Sequence, residues 1–230
     1  MRKILILQGG FNEEHKVSIN TSNEVAKVLT KLKIDFERLT VNPISFAKDI
    51  SKFSNEYICF NSLHGTFGED GKIQKILKIK GFRFTHSNQN CSMNCFNKIK
   101  SKDYIKKYKI LTPPHKVIKI KDMNSEYLKK IIIKFKKFVL KPVSSGSSYG
   151  LKIIKSKKDL SIFCKEIEKF KNNFNHNDDF IIEKYIPGKE LTVSVIHNES
   201  KVKPLEVTEI VSLNQTYDYQ AKYTKGFSKH

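Results

Sequence analysis

Much of what this 230-residue chain lacks narrows what it can be. No uninterrupted apolar run approaches the roughly 18 residues of a membrane-crossing helix. The start is basic, but the apolar run Ile4–Leu7 is too short for the hydrophobic region of a secretory signal and meets Gly9-Gly10 at once. A cytoplasmic location with no membrane partner is therefore expected. Cysteine is sparse: Cys59, Cys91, Cys95 and Cys164 form no paired C-x-x-C units of a zinc site, and reduced, mostly buried thiols are expected. A G-x-x-x-x-G-K-[ST] loop is missing, as are internal repeats, aromatic–basic RNA signatures and helix-turn-helix spacing. Acidic residues are outnumbered, 23 against 43 basic, for a formal net charge of +20. Yet the lysines are scattered, as in Lys72, Lys75, Lys78 and Lys80, and Lys, Ile, Asn and Phe are abundant together, as A/T-rich codons encode. No nucleic-acid partner is expected. A basic nucleic-acid-binding protein is the alternative from another class, and strongly salt-dependent binding would be its sign.

What is present suits a soluble globular protein: 39% hydrophobic and 29% charged residues, in a chain long enough for one to two domains. Ile4–Leu7 reads as a buried strand followed by a Gly-Gly turn. A helix over 17–32 carries Val25, Val28, Leu29 and Leu32 on its apolar side, with Ser18 as its cap. The strand Tyr57–Phe60 leads through a loop at Asn61–Gly71 to a helix with Ile73, Ile76, Leu77 and Lys80 on one side and Gly81 as its stop. Such alternation argues for a parallel α/β unit. Beyond it, Met93–Tyr108 reads as one long basic helix, and Thr112-Pro-Pro114 starts an extended segment. Lys158–Phe170 reads as a helix burying Leu160, Phe163, Ile167 and Phe170; Phe180–Tyr185 and Glu190–Ile196 read as strands. The stretch 217–230 is polar, aromatic and without periodicity.

The most informative stretch is Phe138-Val-Leu-Lys-Pro-Val-Ser-Ser-Gly-Ser-Ser-Tyr-Gly150. Two β-rich runs, Phe138–Leu140 and Leu151–Ile154, are predicted to pair as a hairpin around small residues. Small side chains let a loop close over an anion with its N–H groups inward, and glycine permits the φ values of such a nest. Lys141 adds a positive charge at its mouth.

Several segments together resemble the D-alanine–D-alanine ligases of the ATP-grasp superfamily. They are Gly9-Gly-Phe-Asn-Glu-Glu14 with Val17-Ser18, Leu63-His-Gly-Thr-Phe-Gly-Glu-Asp-Gly71, Asn97-Lys-Ile-Lys-Ser-Lys102, Leu140-Lys-Pro with Gly146-Ser-Ser-Tyr-Gly150, Ile182-Glu-Lys-Tyr-Ile-Pro-Gly-Lys-Glu190 and Tyr217-Asp-Tyr-Gln-Ala-Lys-Tyr223. They occur in the family's order. The resemblance implies an ATP-grasp fold of mixed α/β and α+β class. Its parts are a parallel α/β N-terminal domain over 1–95, a central α+β lobe with a phosphate flap over 96–180, and an incomplete C-terminal lobe over 181–230.

It also implies a reaction: one D-alanine carboxylate attacks the γ-phosphate of ATP, and the amine of a second D-alanine displaces phosphate from the acyl phosphate, for peptidoglycan synthesis. By resemblance, Lys98 and Lys141 contact phosphate, joined by Ser147 and Ser148 of the flap. Glu183, Lys184 and Ile186 read adenine, and Glu190 takes the ribose hydroxyls. Glu14 anchors the first substrate's ammonium beside His64. Tyr217, Lys222 and Tyr223 belong to a loop closing over the site, and Lys222 also reaches ATP. Tyr223, near Glu14 and Ser147, goes with D-alanine rather than D-lactate as second substrate. Lys98, Lys141, Glu183 and Glu190 are expected to converge on one cleft.

The family's intermediate-stabilising arginine and its Mg²⁺ (or Mn²⁺) ligands have no match here. The chain is expected to be a truncated ligase with no metal ligand of its own and impaired phosphoryl transfer, exposing apolar surface on Phe180–Tyr185 and Leu191–Ile196, and homodimeric when full-length. Another ATP-grasp carboxylate–amine ligase is the nearer alternative.

Overall fold

Chain contacts gather residues 1–112 with 143–146 into one unit, and 113–142 with 147–230 into a second. The computed structural model describes residues 3–198, 201–212 and 226–229; Tyr217, Lys222 and Tyr223 lie outside them.

The first unit is built on four parallel strands in the order β2-β1-β3-β4: β1 (Ile4–Gly9), β2 (Phe36–Val41), β3 (Ile58–Asn61) and β4 (Arg83–Phe84). Leu5, Ile6 and Leu7 are all fully buried, as expected when both faces of a parallel sheet are covered. The strand–turn–helix alternation is borne out by α1 (His15–Lys31) and α3 (Lys72–Ile79), with the short α2 (Phe46–Asp49) between them and α3 ending before Gly81 at φ +76°. Ile73 and Leu77 are buried, while Lys80 is exposed.

The first helix departs from its expected packing. Val28 and Leu32 are exposed, and its buried side chains are Ser18, Ser22 and Ala26. Ser18 does not cap the helix; its hydroxyl accepts from the Gly9 N–H at 2.8 Å, and the Ser22 hydroxyl donates to Gln8 at 2.5 Å. Small hydroxylated residues let the helix approach β1 more closely than Val or Leu would allow.

The long basic helix is instead two, α4 (Gln89–Phe96) and α5 (Lys98–Lys106), broken at Asn97. That side chain accepts from the N–H groups of Ile99 and Lys100, an N-cap that restarts the chain in a new direction. The thiols also differ from expectation: Cys59 is buried, Cys164 half-buried, and Cys91 and Cys95 exposed.

In the second unit, β5 (His115–Lys119), β6 (Phe138–Pro142), β7 (Lys152–Ile154) and β8 (Asp179–Lys184) form an antiparallel sheet in the order β5-β8-β6-β7. The expected hairpin is present, with Phe138 opposite Ile154 and Leu140 opposite Lys152. Helix α6 (Ser125–Phe135) packs Leu128, Ile131, Ile132 and Phe135 into its core. The helix foreseen over Lys158–Phe170 is split at Glu166 into α7 (Lys157–Lys165) and α8 (Ile167–Lys171). Its four apolar residues are nevertheless all buried. A second sheet pairs β9 (Glu190–Asn198), β10 (Lys201–Ser212) and β11 (Ser228–Lys229) antiparallel.

Candidate active site

Glu14 immediately precedes α1 and is 2% exposed. Positions 14, 18, 22 and 26 recur every four residues and so share one helix face. The small side chains that let α1 lie on β1 therefore also carry Glu14 inward. Residues Gly9 and Gly10, at φ +92° and +87°, turn the chain from strand to helix, and Gly10 offers its carbonyl to the His15 ring at 2.7 Å.

Asn12 ties this turn to the loop after β3. Its amide donates to the carbonyls of His64 (2.7 Å) and Thr66 (3.2 Å), and its side-chain oxygen accepts from the Glu14 N–H (3.0 Å). Asn12 was not among the expected site residues, although it lies within the Gly9–Glu14 segment. The loop itself is pinned at the Gly68 carbonyl, which accepts from Asn61 at 2.9 Å and Gln74 at 2.8 Å, both amides buried.

His64 is half-buried, with Nε2 3.0 Å from the Thr21 hydroxyl and Nδ1 3.8 Å from Glu69. Burial pulls its pKa below the ordinary 6.5, against the opposing charge of Glu14 and with His86 adding to the depression. The imidazole is thus neutral near pH 7 and can donate one hydrogen bond without carrying a charge.

Two glycines wall the Glu14 carboxylate. A Cβ on Gly65 would stand 2.5 Å from Glu14 Oε2, and one on Gly146 would stand 3.0 Å from the same atom. Gly65 comes from the His64 loop and Gly146 from the flap, so backbone of both loops approaches the acid where a side chain would intrude. A carboxylate enclosed this way suits an ammonium on a small molecule.

The flap is anchored in the first unit by the start of α5. The Lys98 ammonium donates to the Ser145 carbonyl at 2.8 Å, and its N–H to the Val143 carbonyl at 3.0 Å. Positive φ falls on Ser147 (+47°) and Ser148 (+61°) rather than on Gly146, so the nest draws on serine backbone strain. Gly150, at φ +69°, is where glycine is needed: a Cβ there would meet Phe174 at 2.7 Å and Pro142 at 3.0 Å.

In the second unit Lys141 and Glu183 meet at 2.5 Å, with side chains 29% and 7% exposed. Lys141 is opposite Ile181 and Val139 opposite Glu183, so the pair is a diagonal contact on one sheet face. The Lys184 N–H is committed to the Pro114 carbonyl at 2.9 Å, and Ile186 and Glu190 are exposed. Lys98 belongs to the first unit, and Lys141, Glu183 and Glu190 to the second. Among the described residues no group of three or more His, Cys, Asp or Glu could hold a metal ion, and no helix is long and apolar enough to cross a membrane.

Comparison with known proteins gives a consistent result. The family model described as D-ala D-ala ligase C-terminus matches residues 104–230. A D-alanine–D-alanine ligase of Wolbachia pipientis subsp. Culex pipiens (strain wPip) is 37% identical over 227 residues, covering 99% of this chain and 67% of that protein. One of Thermotoga petrophila is 32% identical, covering 97% of this chain and 69% of that protein. Among solved structures, a Bacillus anthracis D-alanine–D-alanine ligase superposes with a TM-score of 0.72 at 30% identity, over 100% of this chain and 71% of that one. The same enzyme complexed with ATP gives 0.69 at 29% identity, over 92% of this chain and 66% of that one.

Proposed function

Since the chain belongs to the D-alanine–D-alanine ligase family, we propose that it serves ATP-dependent ligation of two D-alanines, for peptidoglycan synthesis. The observation that carries this reading is the enclosure of Glu14 by Gly65 and Gly146. Backbone of the His64 loop and of the flap closes on one buried carboxylate, which supports an ammonium anchor beside a phosphate-covering loop.

In this reading Glu14 pairs with the ammonium of the first D-alanine, and neutral His64 donates to its carboxylate. That carboxylate attacks the γ-phosphorus while the bond to the bridging oxygen breaks, giving acyl phosphate and ADP. The amine of the second D-alanine then forms the peptide bond and expels phosphate, losing a proton. Lys98 and Lys141 neutralise phosphate oxygens, with N–H groups of Ser147 and Ser148 directed by the flap. Lys98 already grips a flap carbonyl and Lys141 a carboxylate, so nucleotide would exchange these contacts for phosphate. Glu183, the carbonyl of Lys184 and Ile186 read the adenine edge, and Glu190 takes the ribose.

Tyr217, Lys222 and Tyr223 complete the site in this proposal, Tyr223 beside Glu14 and Ser147. Mg²⁺ (or Mn²⁺) when bound neutralises charge on the transferring phosphoryl group. The proposal keeps the divisions 1–95, 96–180 and 181–230, the convergence of Lys98, Lys141, Glu183 and Glu190 on one cleft, a cytoplasmic location and a homodimer in the full-length form.

Isothermal titration with ATP tests it. Lys141→Ala should weaken binding about tenfold or more, as loss of a charge-assisted contact of about 1.5–3 kcal/mol implies. Unchanged affinity in a folded variant would remove Lys141 from the nucleotide site. Phosphate release with ATP and a different amino-acid pair, but none with D-alanine, would favour another ATP-grasp carboxylate–amine ligase.

A further inference from the structure

Cys91 and Cys95 lie one turn apart on α4, and neither carries a role in the reading above. Their sulfurs are 4.0 Å apart and both residues are exposed. The helix is held at its start by Asn88, whose side chain accepts from the Cys91 N–H at 3.0 Å. The two thiols therefore project from a capped helix, presented together to solvent.

Three fates are open to such a pair, and geometry separates them. A disulfide needs Cβ atoms about 3.5–4.5 Å apart, whereas helical i,i+4 positions hold them about 5–6 Å apart, so oxidation must distort the helix. Structural zinc demands four ligands, and among the described residues no third His, Cys, Asp or Glu joins these two. A soft centre that needs only two thiolates meets neither obstacle. A tetrahedral metal with bonds of about 2.3 Å would set two sulfurs about 3.8 Å apart; the narrower angle of a pyramidal trivalent centre brings them slightly closer, a small side-chain movement from the separation already present.

We propose that Cys91 and Cys95 form a dithiol site that captures a trivalent, thiophilic metalloid of the mono-organoarsenical class. The chemistry balances without an oxidant. The arsenic–oxygen double bond of an arsenoxide breaks, two arsenic–sulfur bonds form, and the two thiol protons leave with the oxygen as water. Arsenic stays trivalent. The other cysteines do not compete for a two-thiol ligand: Cys59 is buried, with desolvation pushing its thiol up to about 12, and Cys164 is half-buried.

Phenylarsine oxide is the probe, followed by intact mass and by titration of free thiols. The chain should take one adduct and lose two titratable thiols. The adduct should survive excess glutathione and be stripped by dithiothreitol. In Cys91→Ser and in Cys95→Ser, retention against glutathione should fall at least tenfold, because a single thiolate lacks the second, intramolecular bond. Cys164→Ser should retain the adduct as the parent does. Both serine substitutions are at exposed positions, and circular dichroism checks that the fold persists. Loss of only one thiol, or equal retention in Cys95→Ser and the parent, would overturn the proposal.

Discussion

At the scale of single residues, the site depends on a few side chains whose burial changes what they can do. His64 is the titrating example. Its folded pKa is depressed below 6.5, chiefly by burial. As pH falls through that value the unfolded chain takes up the proton first, so the folded state loses stability; the contribution is restored above 6.5. Denaturant midpoints measured from about pH 7.5 to about pH 5 should therefore fall more steeply for the parent than for His64→Gln. Parallel profiles would show that His64 does not resist protonation. Asn12 acts differently: three hydrogen bonds from one amide side chain hold Glu14 and His64 in register.

At the scale of elements, loops matter most because they position chemistry on rigid strands. The loop after β3 is clamped at the Gly68 carbonyl, and Gly68 lies so close to Leu63 that an added Cβ would stand 2.4 Å from its Cβ. Gly68→Ala should cost about 1–3 kcal/mol, the usual range for overpacking, and should also weaken D-alanine binding by displacing His64. Urea denaturation and ligand titration measure both effects. An unchanged midpoint would show that the loop relaxes freely. The flap shows how turn chemistry can mislead: its small residues signalled a hairpin correctly, but the strained φ values sit on Ser147 and Ser148.

At the scale of the whole molecule, the two sheets of the second unit have contrasting exposure. Phe180, Ile181 and Ile182 are fully buried between their neighbours, contrary to the expectation of exposed apolar surface there. The β9–β10 hairpin meets that expectation. Leu191, Val193 and Val195 share a face with Val207 and Val211, and all are exposed. An apolar face of this kind should bind a hydrophobic dye and drive concentration-dependent self-association. Replacing the cross-strand partners by Val193→Lys with Val207→Glu keeps a favourable pair across the ladder. The double variant should reduce dye fluorescence severalfold and shift sedimentation toward the monomer. Unaltered dye binding would place the sticky surface elsewhere.

The amino-acid sequence by itself determined the parallel α/β beginning, the hairpin around Ser144–Tyr149 and the family, because strand–turn–helix alternation and motif chemistry are local. It also placed Glu14, His64, Lys98 and Lys141 in their segments. Only the tertiary structure decided which face of α1 is buried. Periodicity says which residues share a face, whereas the distance to β1 decides that Ser18, Ser22 and Ala26 fit there and Val28 and Leu32 do not. The same holds for Lys141 and Glu183, paired only through the register of β6 on β8, and for Asn12, whose carbonyl partners on His64 and Thr66 lie more than fifty residues away. The exposure of Cys91 and Cys95 was likewise visible only in the folded chain, whereas the helix break at Asn97 rests on a local cap. Long-range contacts select among local options that the chain alone leaves nearly equal in free energy.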